Sequence, residues 1–287
     1  MGDPEIQKKI KSLKDWIATQ PHLPQNFEDR ILLRFLHSCY YDLVNTQKCV
    51  DLFCTIRANS PELLTKRDPK NNEIQRFFKI VNLACIKISG NRNLWIWQLN
   101  DPGLEVYDYV TDAKVFFLSG DVWMLADDHL EDSDIVLMDV KDISLKFITK
   151  FNMSVAKKMG KYQEEGMPIR LKQIHVLNAP SFIDKLHGLM KPFLKQEIND
   201  MIHFHKPNSD SIFKYINKDE LPVDFGGTAG KMSDLMNKTL DDIMAQREFF
   251  LNDKAWVSDE SKRVKAGKNK HDSVKIVTPN FRSLAID

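Results

Sequence analysis

Residues 168–205 read PIRLKQIHVLNAPSFIDKLHGLMKPFLKQEINDMIHFH, and the fold turns on this stretch. Ile169 and Leu171 alternate with Arg170 and Lys172, and Ile174, His175, Val176 and Leu177 follow as a nearly continuous apolar run. That pattern suits a strand entering a sheet covered on both faces. Asn178, Ala179 and Pro180 stop it. Ser181 with Asp184 resembles a capping box built with a short acid. Phe182, Leu186, Leu189, Met190 and Phe193 then recur on one helical face. The spacing predicts a greasy helix, broken at Pro192 and resumed, that closes over something. No complete set of catalytic groups lies within it.

Working outward, the flanking segments alternate between strand and helix. Ala84–Ile88 and Leu94–Leu99 read as strands on either side of the turn Gly90–Asn93, and Ile135–Val140 as a third. Helical stretches run from Ala113 to about Ala126 and from Leu145 to Tyr162. Alternation of this kind implies crossover connections and a mixed, mainly parallel sheet, an α/β fold. Ser211–Ile216 fits a strand or a short helix equally. Upstream, Ile6, Ile10, Leu13 and Ile17 make one helical stripe, Phe27–Leu36 a second with Asn26 available as a cap, and Leu43–Ile56 a third. The expected organisation is a helical domain over residues 1–80, a sheet domain over 81–250 and a polar tail over 251–287.

The chain has 287 residues and a formal net charge of +1, so a global electrostatic attraction to nucleic acid is not indicated. Lys262, Arg263, Lys265, Lys268, Lys270 and Lys275 form a local basic cluster. The N-terminus is charged and helix-like, without the apolar core of a signal peptide. Cys39, Cys49, Cys54 and Cys85 lack zinc spacing and are too sparse for a disulfide scaffold, which predicts buried or half-buried free thiols and a cytoplasmic address.

Candidate chemistry is thin. The eleven glycines form no phosphate-binding loop, and neither GxSxG nor HExxH occurs. His203 and His205, read as helical, point apart and are assigned to packing rather than to a metal. Asp127, Asp128, Glu131, Asp132 and Asp134 lack the register of a calcium loop and read as a solvated connection. Asp139 ends a strand, where a ligand contact and a structural hydrogen bond are equally good readings. Large side chains crowd the middle of the chain. Composition leaves open whether they fill a core or line a dry cavity.

Five landmarks carry a resemblance: LLRFL at Leu32–Leu36 with YDL at Tyr41–Leu43, IVLMD at Ile135–Asp139, SVAKKM at Ser154–Met159, PIRLKQIHVLNAP at Pro168–Pro180, and MKPFL at Met190–Leu194, followed by IHFH and LPVDFGG. Their order resembles the CRAL-TRIO lipid-transfer family, in its tocopherol- and retinaldehyde-binding branch. FRSLAID at Phe281–Asp287 looks like the ending of insect members. The resemblance implies a helical N-terminal domain packed on a sheet-floored hydrophobic pocket, with the helix Ser181–Met201 as its gate. It implies ligand contacts from Met138, Ile143, Met159, Tyr162, Gln163 and Met167, and from Ile169, Leu171 and Ile174. Phe182, Leu186 and Leu189 would come from the gate, and Trp97, Phe116 and Phe117 from the wall.

The implied function is non-catalytic binding and transfer of one small hydrophobic ligand of retinoid, tocopherol or carotenoid type, between membranes or to enzymes. No cofactor is implied, and the chain would be a monomer touching membrane surfaces transiently. Phospholipid or phosphatidylinositol exchange is one alternative, and an adaptor with a degenerate pocket another. The branch binds phosphoinositide headgroups with bases near the gate. Here His37 and Cys39 replace two of them, Glu197 and Met201 stand where others are expected, and Arg170 alone matches. Weak or absent phosphoinositide specificity follows.

Overall fold

The computed structural model describes residues 3–126 and 130–264. They fall into two compact units, one drawn from residues 3–59, 165–170 and 256–264, the other from 60–164 and 171–255.

The first unit is helical. Asp3 caps α1 (Pro4–Ala18), accepting a hydrogen bond from the Glu5 N–H at 2.9 Å, and the helix buries Ile10, Leu13 and Ile17. In α2 (Asp29–Ser38), Leu32, Phe35 and Leu36 are wholly buried. Its cap is Glu28 rather than the expected Asn26, because Phe27 sits between them and turns inward onto Phe35. Asp42 caps α3 (Leu43–Ala58) by accepting from the Asn45 N–H at 2.7 Å. The connection from α2 to α3 is tight, with Tyr40 and Tyr41 both in the left-handed region at φ 53° and 60°. Trp256 lies against Phe53 at 5.7 Å, and the Arg57 guanidinium covers both rings. Arg263, from the basic cluster, pairs with Asp51 and Glu260. Lys262 pairs with Asp259 at 3.1 Å, while Lys265, Lys268, Lys270 and Lys275, and the FRSLAID ending, lie outside the described residues.

The second unit holds α4 (Pro61–Leu64), α5 (Asn72–Phe77) and a five-stranded sheet. Strands β1 (Val81–Ile88) and β2 (Arg92–Leu99) form an antiparallel hairpin, and β3 (Ser133–Asp139), β4 (Leu171–Leu177) and β5 (Ile202–Phe204) follow in parallel, in the order β1-β2-β3-β4-β5. Parallel neighbours need crossovers. α6 (Tyr109–Leu125) supplies the first, α7 (Lys146–Lys150) and α8 (Met153–Lys161) the second, and α9 (Ile183–Met190) with α10 (Gln196–Asp200) the third. α11 (Met232–Ala245) packs on β1, and α12 (Arg247–Leu251) follows it. Arg67 and Asp121 form a buried ion pair at 2.6 Å beneath α6. No helix among the described residues is long and apolar enough to cross a membrane.

Several local expectations change. The helix expected over 145–162 splits at Phe151 and Asn152, because Asn152 caps a new helix by accepting from the Val155 N–H. The gate expected over 181–201 becomes α9, a 3-10 turn at Lys191–Phe193 around Pro192, and α10. Ile202–Phe204, read as helical, is the edge strand β5. Ser211–Ile216 resolves as a 3-10 helix over Asp210–Lys214. Cys85, expected to be at least half-buried, is exposed on β1.

Candidate ligand-binding face

The sheet register sorts its side chains onto two faces that differ in closure. Leu94 pairs with Ile135, and Ile96 with Leu137, His175 and His203 in turn. On this face Leu94, Ile96, Ile135 and Leu137 are at most 2% exposed and pack on Ile212, Ile216, Leu221, Phe225 and Met232. The other face carries two rows: Trp95, Val136, Ile174 and Ile202, then Trp97, Met138, Val176 and Phe204. Of these eight, only Val176 is buried; six are half-buried and Phe204 is 38% exposed. Central strands ordinarily bury both faces when helices cover them. Here one face is sealed and the other remains partly open.

The open face is apolar in its lining and satisfied in its polar atoms. Trp95 Nε1 donates to Asp134 Oδ1 at 2.9 Å, and Trp97 Nε1 donates to Asp112 Oδ1 at 3.0 Å. With the indole N–H groups used, the rings present hydrocarbon. Asp112 also accepts from the Tyr107 hydroxyl at 2.8 Å. Burial pushes the Asp112 carboxyl up to about 6, against the pull of those two hydrogen bonds.

Above the rows, Val140, Val176 and Ala179 form a buried nucleus against which Trp97, Met138, Ile143, Ile174, Ile183 and Ile202 pack. Four of the residues expected from sequence therefore meet here: Trp97, Met138, Ile143 and Ile174. Leu171 joins their face through a register shift. It pairs with Asp134, whereas Gln173 pairs with Ile135, so Lys172 is the extra residue of a bulge and Leu171 and Ile174 share a face despite being three apart. The foot of α9 enters through Ile183. Further along that helix Leu186 is buried and Leu189 half-buried, and Phe182, half-buried, caps its start. His187 ties α9 to α10 at 3.1 Å from Asn199, and its ring lies 5.4 Å from that of Phe204.

The other expected positions lie apart from this cluster. Phe117 stacks on Tyr162 at 4.6 Å, with Phe116 edge-on to Phe117, where α6 and α8 pack together. Met159 and Gln163 are half-buried at the end of α8 and in the following π-turn. Met167 and Ile169 are buried within the first unit. Arg170, also there, donates twice to the His37 carbonyl, at 2.9 and 2.6 Å, and lies 4.3 Å over the Tyr40 ring. Sequence reasoning missed Trp95, Val136, Val176 and Ile202 on the floor and Ile183 at the foot of α9. For Trp95, Val136 and Val176 the signal was the period-2 alternation that links each to an expected neighbour.

The remaining candidates have structural roles. Asp139 is 1% exposed and accepts from Gln98 at 3.0 Å, Asn178 at 2.8 Å and the Lys141 N–H, tying three strand ends together. His203 and His205 do not point apart, because they belong to a strand and its exit. His175 Nδ1 lies 3.0 Å from His205 Nε2, His205 Nδ1 lies 2.6 Å from Ser211 Oγ, and the His175 and His203 rings stack at 5.2 Å. Among the described residues no His, Cys, Asp and Glu grouping is arranged to hold a metal. In the acidic connection, Glu131 is buried and paired with Lys87, and Asp134 is buried beneath Trp95, so these two are not solvated as expected. Asp127 and Asp128 lie outside the described residues.

Residues 108–227 match the CRAL/TRIO domain, and residues 3–74 match the Pinta-like UBA domain. The alpha-tocopherol transfer protein-like protein of Homo sapiens is 25% identical over 247 residues, covering 79% of this chain and 69% of its own length. Clavesin-1 of Xenopus laevis is 24% identical over 241 residues, covering 78% and 68%. The crystal structure of Sfh5 superposes with a TM-score of 0.49 at 15% identity, over 83% of this chain and 92% of that one. The open sheet face lies largely within the matched segment, and the chain carries a CRAL/TRIO domain.

Proposed function

We propose that this chain binds one small hydrophobic molecule of retinoid, tocopherol or carotenoid type on the Trp97 face of its sheet, and carries it without chemical change. The observation that carries this reading is the row Trp97–Met138 with Trp95–Val136–Ile174–Ile202, large apolar side chains left half-buried at the centre of a sheet. Leaving them to water is costly, and an apolar guest removes that cost. Covering roughly 300 Å² at about 25 cal/mol per Å² yields roughly 7 kcal/mol before ordering costs. Methionine and indole linings adapt to bulky ring systems. Relatives named for tocopherol transfer support the ligand class.

The helix α9 is the proposed cover, because Ile183 already packs on the floor cluster and Pro192 interrupts the segment beyond it. Opening it at a membrane surface would expose apolar side chains to lipid rather than to water. Native mass spectrometry of protein purified from its source, with solvent extraction, tests the reading. The expected result is one stoichiometric lipophile free of phosphorus. Phosphorus in the extract would replace it with phospholipid exchange, and repeated recovery of empty protein would overturn it.

A further inference from the structure

Trp97 and Ile143 belong to two groups of side chains at once. They pack on the Val140, Val176 and Ala179 nucleus of the open face, and also on the neighbouring cluster that holds Tyr107, together with Tyr109 and Phe147. The Phe147 ring lies 5.5 Å from that of Tyr107 and 5.9 Å from that of Tyr109. Tyr107 is buried, whereas Trp97, Tyr109, Ile143 and Phe147 are only half-buried. The partly open face therefore continues past Trp97 toward the start of α6.

One carboxyl stands at that end. Asp112, in the first turn of α6, accepts from Trp97 Nε1 on Oδ1 at 3.0 Å and from the Tyr107 hydroxyl on Oδ2 at 2.8 Å. It too is half-buried. Desolvation nevertheless outweighs both hydrogen bonds and pushes its carboxyl up to about 6. Accessible surface on a carboxyl so poorly solvated belongs to a recess rather than to the outside of the protein. A carboxylate offers about four lone-pair positions, and these bonds use two of them.

We infer that Asp112 is the polar anchor of the binding face, accepting a hydrogen bond from the hydroxyl of an alcohol or phenol and so selecting hydroxylated lipophiles. This rests on the Trp97 face being the surface that receives cargo. Above about pH 6 Asp112 is ionised and can only accept. A ligand O–H then makes a charge-assisted bond where little water competes. The matching aldehyde sets lone pair against lone pair, and the matching acid brings a second negative charge. An ether or hydrocarbon covers the carboxylate without replacing its lost hydration. Below about pH 6 the carboxyl carries a proton and donates, so an aldehyde oxygen is served as well as an alcohol.

The groups around Asp112 leave this titration to it. Burial pushes the Tyr107 and Tyr109 hydroxyls up, so both stay neutral. Asp108 and Glu73 accept from the Thr111 hydroxyl at 2.9 and 2.7 Å, and Lys150 donates to the Tyr107 carbonyl at 2.7 Å. β2 contributes the Trp97 indole, and α11 brings Ile243 and Leu240 to the Tyr107 cluster.

The test titrates the delipidated full chain with retinol, retinaldehyde and retinoic acid, and with tocopherol and its methyl ether, following tryptophan fluorescence from pH 5 to 8. At pH 8 the alcohol or phenol should bind at least tenfold more tightly than its matched aldehyde, acid or ether. The alcohol-to-aldehyde ratio should fall below about threefold by pH 5. Asp112→Asn keeps an acceptor for Trp97 and a polar partner for Tyr107; it should show a ratio below about threefold at every pH. If that variant does not fold, the wild-type pH profile decides alone. Equal affinities for all headgroups in the wild-type chain, or a preference whose pH profile survives Asp112→Asn, would overturn the inference and leave the binding reading standing. Failure of every probe to bind would overturn both.

Discussion

Leu137 and Met138 are neighbours in one strand and meet opposite conditions. Leu137 is wholly buried against Ile212, Ile216 and Met232, whereas Met138 is half-buried beside Trp97 and Ile174. Strand alternation assigns them to different faces, and the covering elements then decide what each face does. The 3-10 turns after β5 and the start of α11 seal one side with a close-packed layer. On the other, helices reach the sheet through few anchors, of which Ile183 is one. The sealed face holds the fold, and the open face is the one proposed to receive cargo.

This difference has measurable consequences. Leu137→Ala should cost about 3 kcal/mol, because it leaves a cavity in a layer unable to collapse. Met138→Ala, one residue away, should cost about 1 kcal/mol or less; urea denaturation of the two variants compares them directly. Equal losses would mean that both faces are ordinary core.

The sealed face also carries a pH signature. Burial holds the His175 imidazole down to about 3, with His205 and His203 adding to the effect. Unfolded, the same group takes a proton near pH 6.5. Since its folded value is depressed, the stability associated with neutral His175 is present above about 6.5 and is lost as pH falls from there toward 3. The chain should be about 2 kcal/mol less stable at pH 5 than at pH 7 through this group. His175→Gln should remove that share of the slope, as read by denaturation at both pH values. A slope unchanged by the substitution would place the titration elsewhere.

Smaller effects belong to the open face. Ile183→Ala should weaken binding of an apolar probe about tenfold, roughly 1.4 kcal/mol, with little change in melting temperature. Cys85 pairs with Trp95 across the β-hairpin and is exposed. Cys85→Ser should therefore change stability by no more than about 0.5 kcal/mol. A larger loss would mean that the Cys85 side chain is packed into the protein rather than exposed.

Much of this was legible before the structure. Four of the five strands announced themselves as apolar runs, and so did the helices of the first unit, whose buried stripes recur at helical spacing. β5 did not, because three residues following a helix carry too short a period to show one. That omission also misread His203 and His205 as facing apart. The bulge at Lys172 was equally silent: nothing in RLKQI tells whether Leu171 and Ile174 fall on one face or two, since only pairing with β3 fixes the register. Composition could not choose between a filled core and an open one. Trp97 and Leu94 look alike in a list of apolar residues, and only the elements covering each face separate them.

Photolabelling asks the open face directly whether it receives cargo. A long-chain alcohol bearing a diazirine would be irradiated with the full chain and the adducts mapped by mass spectrometry. Adducts should fall on Trp97, Met138, Ile174, Ile183 and Ile202, and competition with unlabelled apolar ligand should remove them. Adducts confined to other parts of the chain, with none on these five residues, would contradict the assignment of the Trp97 face as the binding surface.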